Sequence, residues 1–458
     1  MADFAPFERK MREAGLPSVA IRAFERAYSA FAAGERGLLP RAELEEVGEI
    51  PALAKDADQR AIGVNALSRT VVVKLNGGLG TTMGMTRAKS LLAVRDGQSF
   101  LDVTAQQIRV LRDQTGVAVP LVLMNSFRTR DDSLAALSAH GNVSGALPAD
   151  FLQHRVPRIR ADDLTPVSWP AMPEHEWCPP GHGDLYAALV SSGMLDEMLA
   201  AGLRYAFVSN SDNLGAVLDL DLLGWFADSG APFAMEVKER SPADRKGGHL
   251  ARRRGRLLLR EIAQCPDDEL EDFQDISAHR FFNTNNLWVD LHALRDVLAG
   301  CDSVLPLPLI RNEKPVDPKD PDSVRVVQLE SAMGAAIALF EGALAIRVPS
   351  SRFAPVKTTG DLLAVRSDAF VLSEDFRVVP APERREGALW VDLDPRFYRR
   401  VDDLERRFPH GPPSLLHCRS LSVRGDVRFG RGVVVEGDVT LEAPEGETME
   451  VADGSVLS

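Results

Sequence analysis

The segment that narrows this chain most is VVVKLNGGLGTTMGMTRAKS, residues 71–90, where an apolar strand runs directly into a glycine-rich turn that closes on a lysine. The β-branched run Val71 to Val73 favours a strand. Gly77, Gly78, Gly80 and Gly84 then allow the backbone to turn its N–H groups toward an anion, and Lys89 adds a positive charge. Such a unit suits an α/β fold that holds a nucleoside triphosphate. Two better-known phosphate loops are excluded by spacing. A P-loop places Lys directly after Gly, whereas Ala88 precedes Lys89; the dinucleotide fingerprint would need its third glycine at Met83. Taken alone, the loop is a tight turn as readily as a phosphate cradle, so the rest of the chain has to decide.

The chain has 458 residues, which suggests two or three domains, and 45% hydrophobic residues, enough for a conventional core. With 53 Lys plus Arg against 66 Asp plus Glu, the formal charge is −13, which argues against nucleic acid or an anionic membrane as a partner. Any anionic ligand must be met locally. Cys178, Cys265, Cys301 and Cys418 are scattered and form no Cys-x-x-Cys pair, so neither a zinc site nor a disulfide framework is indicated, and reduced thiols in a cytoplasm fit. The first residues show no apolar leader and no long apolar run follows, so a soluble, untargeted protein is expected.

Apolar spacing through Phe4, Phe7 and Met11, and again through Ile21, Phe24 and Ala27 beyond Pro17, predicts two N-terminal helices that pack on the core. Charged, proline-punctuated sequence from 38 to 68 sets a boundary near residue 55. From there to about 365, short apolar strands alternate with amphipathic helices at 100–113, 131–139 and 184–200, which implies a largely parallel sheet. The strands end on Asn76, Asn125 and Asn210, at the edge where open α/β sheets bind ligands. In the tail, Leu421, Val427, Val433 and Val439 fall six apart, as do Phe429, Val435 and Leu441; Val451 and Leu457 resume the spacing after a break at Glu445. This hexad predicts short β-helix coils, with an antiparallel meander as the alternative. The expected division is 1–55 helical, 56–365 catalytic and 366–458 a small C-terminal β-helix.

Among polar candidates, Asp212 in SNSDN follows a strand and suits Mg²⁺, which takes one or two carboxylates plus substrate oxygens and waters; an Asx turn is the bland reading. His182 in PPGHGD precedes a predicted helix with Asp184 as its N-cap, a terminus that favours anions near Gly181 and His182.

The blocks LNGGLGTTMG (75–84), FLDVTAQQI (100–108), PLVLMNSF (120–127), PPGHGDLYAAL (179–189), FVSNSDNLGA (207–216), KGGHL (246–250), EIAQ (261–264), FNTNNLW (282–288), QLESAMGAAI (328–337) and PSSRFAPVKTTGDLL (349–363) occur in one order. On these residues the chain resembles the eukaryotic-type UTP:glucose-1-phosphate uridylyltransferase, or UDP-glucose pyrophosphorylase, family. The resemblance implies a Rossmann-like nucleotidyltransferase core of GT-A type with a mixed sheet, N-terminal helices and a left-handed C-terminal β-helix. It implies Mg²⁺-dependent reaction of UTP with glucose 1-phosphate to give UDP-glucose and pyrophosphate; the tail, shorter than the family's, leads us to expect a monomer or small homo-oligomer. It assigns Lys89 and Lys357 to phosphate contact in catalysis. Leu75, Asn76, Gly77, Gly78, Gln153 and Gly181 go to the nucleotide, with Gly77, Gly78 and Gln153 at the uracil edge. His182, Asn210, Asn285, Gly248 and Glu261 go to the sugar phosphate, and Asp212 to the metal and nucleotide.

The chain departs from the family pattern in three places. Arg87-Ala88 stands where Gly-Pro is usual, Ser211 stands where Ile or Val is usual, and the tail is shorter, which puts large assemblies in doubt. The loop Gly80-Thr81-Thr82-Met83-Gly84 favours glucose 1-phosphate over N-acetylhexosamine phosphates, whose enzymes favour Gly-Thr-Arg-Leu-Gly, and leaves galactose 1-phosphate open. A silent nucleotide-sugar sensor is the alternative from another class; the joint presence of Lys89, Asp212 and Lys357 speaks against it.

Overall fold

The computed structural model describes residues 3–458. The central sheet has nine strands: β1 (Thr70–Asn76), β2 (Leu121–Asn125), β3 (Asp150–Leu152), β4 (Tyr205–Asn210), β5 (Phe233–Glu239), β6 (His249–Arg253), β7 (Arg256–Arg260), β8 (Phe281–Asp290) and β9 (Leu344–Arg347). They lie in the order β7-β6-β8-β4-β1-β2-β3, with β5 pairing β8 and β9 pairing β5. Strands β3, β2, β1 and β4 are parallel, but β8 runs antiparallel to β4 and to β5. The sheet is therefore mixed rather than largely parallel. Helical crossovers, which parallel pairing requires, give way after β5 to the hairpin β6–β7, whose turn at Arg254 and Gly255 has φ of +50° and +74°.

Successive side chains of β1 serve opposite faces. Val71 and Val73 join Val122, Leu185, Val208, Met235 and Leu287 in one core, while Val72 joins Leu121, Leu123, Phe207 and Trp288 in another. Both faces are covered, which is why the β1 and β2 sequences read as continuous apolar runs.

The helices used below are α1 (Ala5–Glu13), α2 (Ser18–Ala32), α3 (Ala57–Ala66), α4 (Phe100–Thr115), α5 (Leu185–Ser191), α6 (Leu220–Ser229) and α7 (Thr359–Arg366). The first two form as their apolar spacing predicts, packing Phe7, Met11, Phe24 and Tyr28 against Val156, Ile159 and Leu329. Helix α3 lies inside the stretch read as a charged lead-in. Asp56 caps it, and it packs on α6 at backbone range: a Cβ on Gly63 would meet the Leu220 carbonyl at 1.9 Å, and one on Gly224 the Gln59 carbonyl at 1.7 Å. Close approach through two glycines needs no apolar stripe, so periodicity does not reveal it. The helix expected over 184–200 is two, broken before Met194 by Gly193 with φ of +76°.

In the tail, β10 (Trp390–Leu393), β11 (Ser414–Arg424), β13 (Val434–Glu442) and β15 (Val456–Leu457) pair in parallel, as do β12 (Asp426–Phe429) and β14 (Thr448–Val451). Leu421 pairs with Val439, and Leu421, Val427, Val433 and Val435 are all buried. The antiparallel meander is thereby excluded. These residues share a hydrophobic cluster with Met83, Val94, Phe100 and Val356. Among the described residues, no helix is long and apolar enough to cross a membrane.

Candidate active site

The carboxyl ends of β1, β2 and β4 open onto a cleft of about 290 Å³ lined by Leu75, Gly77, Gly78, Lys89, Met124, Gln153, Pro179, Gly181, His182, Asn210, Ser211 and Asp212. Residues from well-separated stretches of chain meet there because parallel strands bring every βα loop to one edge. Met124, Pro179 and Ser211 escaped the sequence reading. Met124 and Ser211 adjoin the strand-end residues Asn125 and Asn210, so position beside a polar strand end was the available signal for them; Pro179, two residues before Gly181, carries no such signal.

After β1 the chain turns through Gly80 and Gly84 with φ of +61° and +78°, and the Lys89 N–H donates to the Gly78 carbonyl at 3.0 Å, closing the loop on itself. Ala88 is buried with φ of −53°, a value proline would also take, so the loop keeps its shape where the family usually has proline. Lys89 Nζ lies 2.6 Å from Asp212 Oδ2, the two most sharply charged groups of the cleft in direct contact. Asn76 is directed elsewhere. Its amide nitrogen donates to Asn125 Oδ1 at 2.7 Å and Ser133 Oγ at 2.8 Å, within the buried sheet edge.

On the opposite side, Gln153 Nε2 donates to the Gly181 carbonyl at 2.9 Å, and a Cβ on Gly77 would lie 2.4 Å from Gln153 Oε1. Only glycine lets that amide approach the loop so closely. His182 accepts from the Met333 N–H at its Nδ1, 3.0 Å away, and burial pushes its pKa down to about 4. The imidazole is therefore neutral near pH 7 and carries its proton on Nε2, a donor rather than a charge. Asp184 does not cap α5 with its side chain, and α5 has 7 residues; the anion-attracting terminus inferred from sequence is not what positions His182.

Gly248, Glu261, Asn285 and Lys357 lie outside the cleft lining and form a second group. A Cβ on Gly248 would sit 2.6 Å from Glu261 Oε2, the Gly248 carbonyl accepts from the Asn283 N–H at 3.0 Å, and Asn283 Nδ2 donates to Asn285 Oδ1 at 2.9 Å. Asn285 has φ of +58° beside a bulge in the β5–β8 pairing, a left-handed conformation that asparagine tolerates better than most residues. Burial raises the Glu261 pKa, and the nearby Lys357 ammonium partly opposes the rise. Lys357 itself is exposed, its Nζ 5.5 Å from the Phe353 ring centroid.

Beneath both groups is a network that sequence reasoning missed. Arg352 Nε and Nη2 each lie 2.7 Å from an oxygen of fully buried Glu236, which also accepts from Trp288 Nε1 and Asn286 Nδ2 at 3.0 Å. Asn213 ties the Asp212 turn to the Lys357 segment, accepting from the Ala354 N–H at 2.9 Å and donating to the Arg352 carbonyl at 3.1 Å. Lys74 Nζ donates to Ser209 Oγ at 2.8 Å and the Ala216 carbonyl at 2.6 Å, and burial, reinforced by Arg352, pushes its pKa down to about 7. A lone charge inside an apolar strand, Lys in VVVKL or Glu in FAMEV, was the readable clue.

Comparison with known proteins gives this arrangement a lineage. The profile of the family described as UTP--glucose-1-phosphate uridylyltransferase matches residues 33–436. A relative of that name from Solanum tuberosum is 41% identical over 92% of this chain and 85% of its own length, and one from Hordeum vulgare is 43% identical over 85% and 81%. Among solved structures, the UDP-glucose phosphorylase of Trypanosoma brucei superposes with a TM-score of 0.92 at 43% identity, covering 99% of this chain and 98% of that one. A mutant UDP-glucose pyrophosphorylase of Leishmania major in complex with UDP-glucose gives a TM-score of 0.91 at 43% identity, covering 99% and 97%. With sequence and fold agreeing over nearly its whole length, the chain belongs to the UTP--glucose-1-phosphate uridylyltransferase family.

Proposed function

We propose that the protein catalyses Mg²⁺-dependent transfer of a uridylyl group from UTP to glucose 1-phosphate, giving UDP-glucose and pyrophosphate. The observation that carries this reading is the convergence of Gly77, Gly78, Gln153, Gly181, Lys89 and Asp212 on one cleft in a member of this family. A phosphate oxygen of glucose 1-phosphate attacks the α-phosphorus of UTP, the bond to the bridging oxygen of the β-phosphate breaks, and pyrophosphate leaves in line. The attacking oxygen is already a nucleophile, so the protein's work is alignment and charge neutralisation.

Gly77 and Gly78 hold the uracil edge with Gln153 beside them, and Leu75 and Gly181 complete the nucleotide side, with Asn76 bracing the strand end from within the sheet edge. Lys89 and Lys357 neutralise phosphate charge. His182, Asn210, Asn285, Gly248 and Glu261 receive the sugar phosphate, His182 as a neutral donor. Asp212, a carboxylate at the cleft with room for substrate oxygens, fits Mg²⁺; bound there, the ion would screen the crowded phosphates. The Lys89–Asp212 contact then has to open, which frees the ammonium for the substrate. We further read 1–55, 56–365 and 366–458 as domains, the last a left-handed β-helix, supported by its hexad spacing and parallel pairing, in a cytoplasmic monomer or small homo-oligomer.

The test is pyrophosphate release from Mg²⁺, glucose 1-phosphate and each of UTP, TTP, ATP and GTP. Release with UTP alone is expected. Release only with N-acetylglucosamine 1-phosphate or galactose 1-phosphate would overturn the sugar, and no release with any pair would overturn the reaction.

A further inference from the structure

Asp184, assigned from sequence to capping a helix, is engaged elsewhere. Its side chain and that of His154 are 4% and 7% exposed. One carboxylate oxygen accepts the His154 peptide N–H at 2.7 Å, and the other lies 2.9 Å from His154 Nδ1. His154 Nε2 lies 2.8 Å from Ser191 Oγ in the closing turn of α5. The peptide so fixed belongs to the residue directly after Gln153, whose own N–H is held by the Asn125 carbonyl at 2.7 Å. Gln153 is thus anchored on both sides in the backbone and, through Nε2, on Gly181, three residues before Asp184.

We propose that the Asp184–His154–Ser191 line is a positioning device for base selection, locking the orientation of the Gln153 amide. A carbonyl can only accept, so the bond to Gly181 commits the amide nitrogen and leaves Oε1 as the group offered beside Gly77. An acceptor there matches a base edge that carries a ring N–H, as uracil does, and opposes cytosine, whose corresponding ring nitrogen is itself an acceptor. Two facing acceptors leave both unpaired, the kind of mismatch that discriminates strongly. If β3 and the Gly181 turn could drift apart, the amide could rotate, present its nitrogen, and tolerate cytosine. Asp184 prevents this by clamping the backbone on one side of the bond to the turn on the other. The Ser–His–Asp order is not a nucleophile site, because Ser191 lies away from the cleft and its hydroxyl also approaches the Ala188 carbonyl at 3.4 Å.

The inference rests on Gln153 reading the base, and the experiment separates the two. The ratio of kcat/KM for UTP to that for CTP is measured, with glucose 1-phosphate and Mg²⁺, for the parent, Gln153→Ala and Asp184→Asn. Both variants are expected to lower the ratio about tenfold, with kcat for UTP in Asp184→Asn within about threefold of the parent. A merely structural role for Asp184 would reduce folded enzyme and scale both nucleotides alike, leaving the ratio where it was; that result, with Gln153→Ala lowering it, overturns the latch alone. An unchanged ratio in Gln153→Ala overturns the base assignment and the latch with it. Should Asp184→Asn fail to fold, His154→Ala removes the ring while keeping the peptide N–H, and the same ratio decides.

Discussion

The wall of the cleft that carries Gly77, Gln153, Gly181 and His182 is held at its lining by neutral hydrogen bonds and close backbone approach, with the Asp184 carboxylate behind it on a single histidine, whereas the wall that carries Asp212 and leads to Lys357 stands on a buried, doubly bonded ion pair, Arg352 with Glu236. In the proposed reaction the first wall would face a flat, uncharged base, for which geometry decides. The second would face phosphates, and the loops that bear its charges are tied down by other charges already withdrawn from water. A buried pair contributes little net stability relative to apolar residues, but breaking it is costly because one charge is left unpaired. The two walls should therefore fail differently, the base side losing selectivity and the phosphate side losing stability or turnover.

Arg352→Met strips Glu236 of its partner and is expected to lower unfolding free energy by about 3–5 kcal/mol, read by urea denaturation; a loss below about 1 kcal/mol would mean that the second wall does not depend on the pair. Lys357→Ala touches the exposed end of the same segment and should leave that free energy unchanged while turnover falls about 10²–10³-fold. Retention of most activity would remove Lys357 from the phosphate site. On the neutral wall, the folded pKa of His182 is about 4, below the usual 6.5, so its contribution is complete above pH 6.5 and is lost as pH falls through about 4. His182→Asn should accordingly converge on the parent in stability between those limits, by ~3 kcal/mol, in thermal melts across pH; parallel curves would contradict a neutral imidazole. The smallest change is expected for Gly77→Ala, whose added carbon displaces only the end of the Gln153 side chain. KM for UTP should rise roughly tenfold, about 1.4 kcal/mol, with kcat and melting temperature near those of the parent. A large drop in melting temperature instead would show that the base wall, like the phosphate wall, carries the stability of the fold.

Legibility in the sequence followed the same division. The base wall comes from contiguous glycine-rich blocks, LNGGLG and PPGHGD, whose residues announce a special backbone, and the structure brings those blocks to one cleft. The central strands were legible as continuous apolar runs because both faces are buried, and the tail hexad because burial there imposes a period. Arg352 and Glu236 are separated by more than a hundred positions and carry no local pattern; Glu236 is marked only as a charge among apolar neighbours, and Arg352, following two serines, is not marked at all. Asp184 was misread for a related reason: its place before a helix allows a cap, but its partner His154 is thirty residues away, and a tertiary hydrogen bond outcompeted the local one. The antiparallel β8 was hidden because strand direction depends on connections rather than on side chains.

The hydrophobic cluster that joins Leu421, Val427 and Val433 of the tail to Met83, Val94 and Phe100 around the glycine loop, together with Arg400 packed so near Gly84 that a Cβ there would touch its Nε at 2.6 Å, bears on how such a chain can be cut and spliced. A recombinant fragment ending at α7 would leave the underside of the glycine-rich loop bare and greasy, prone to clump before it could bind anything. Swapping tails between relatives would likewise graft more than an appendage, since the foreign end would have to mate with the loop it supports. The seam thus makes the tail and the loop one unit of exchange, and a substitution on either side of it has to be matched on the other.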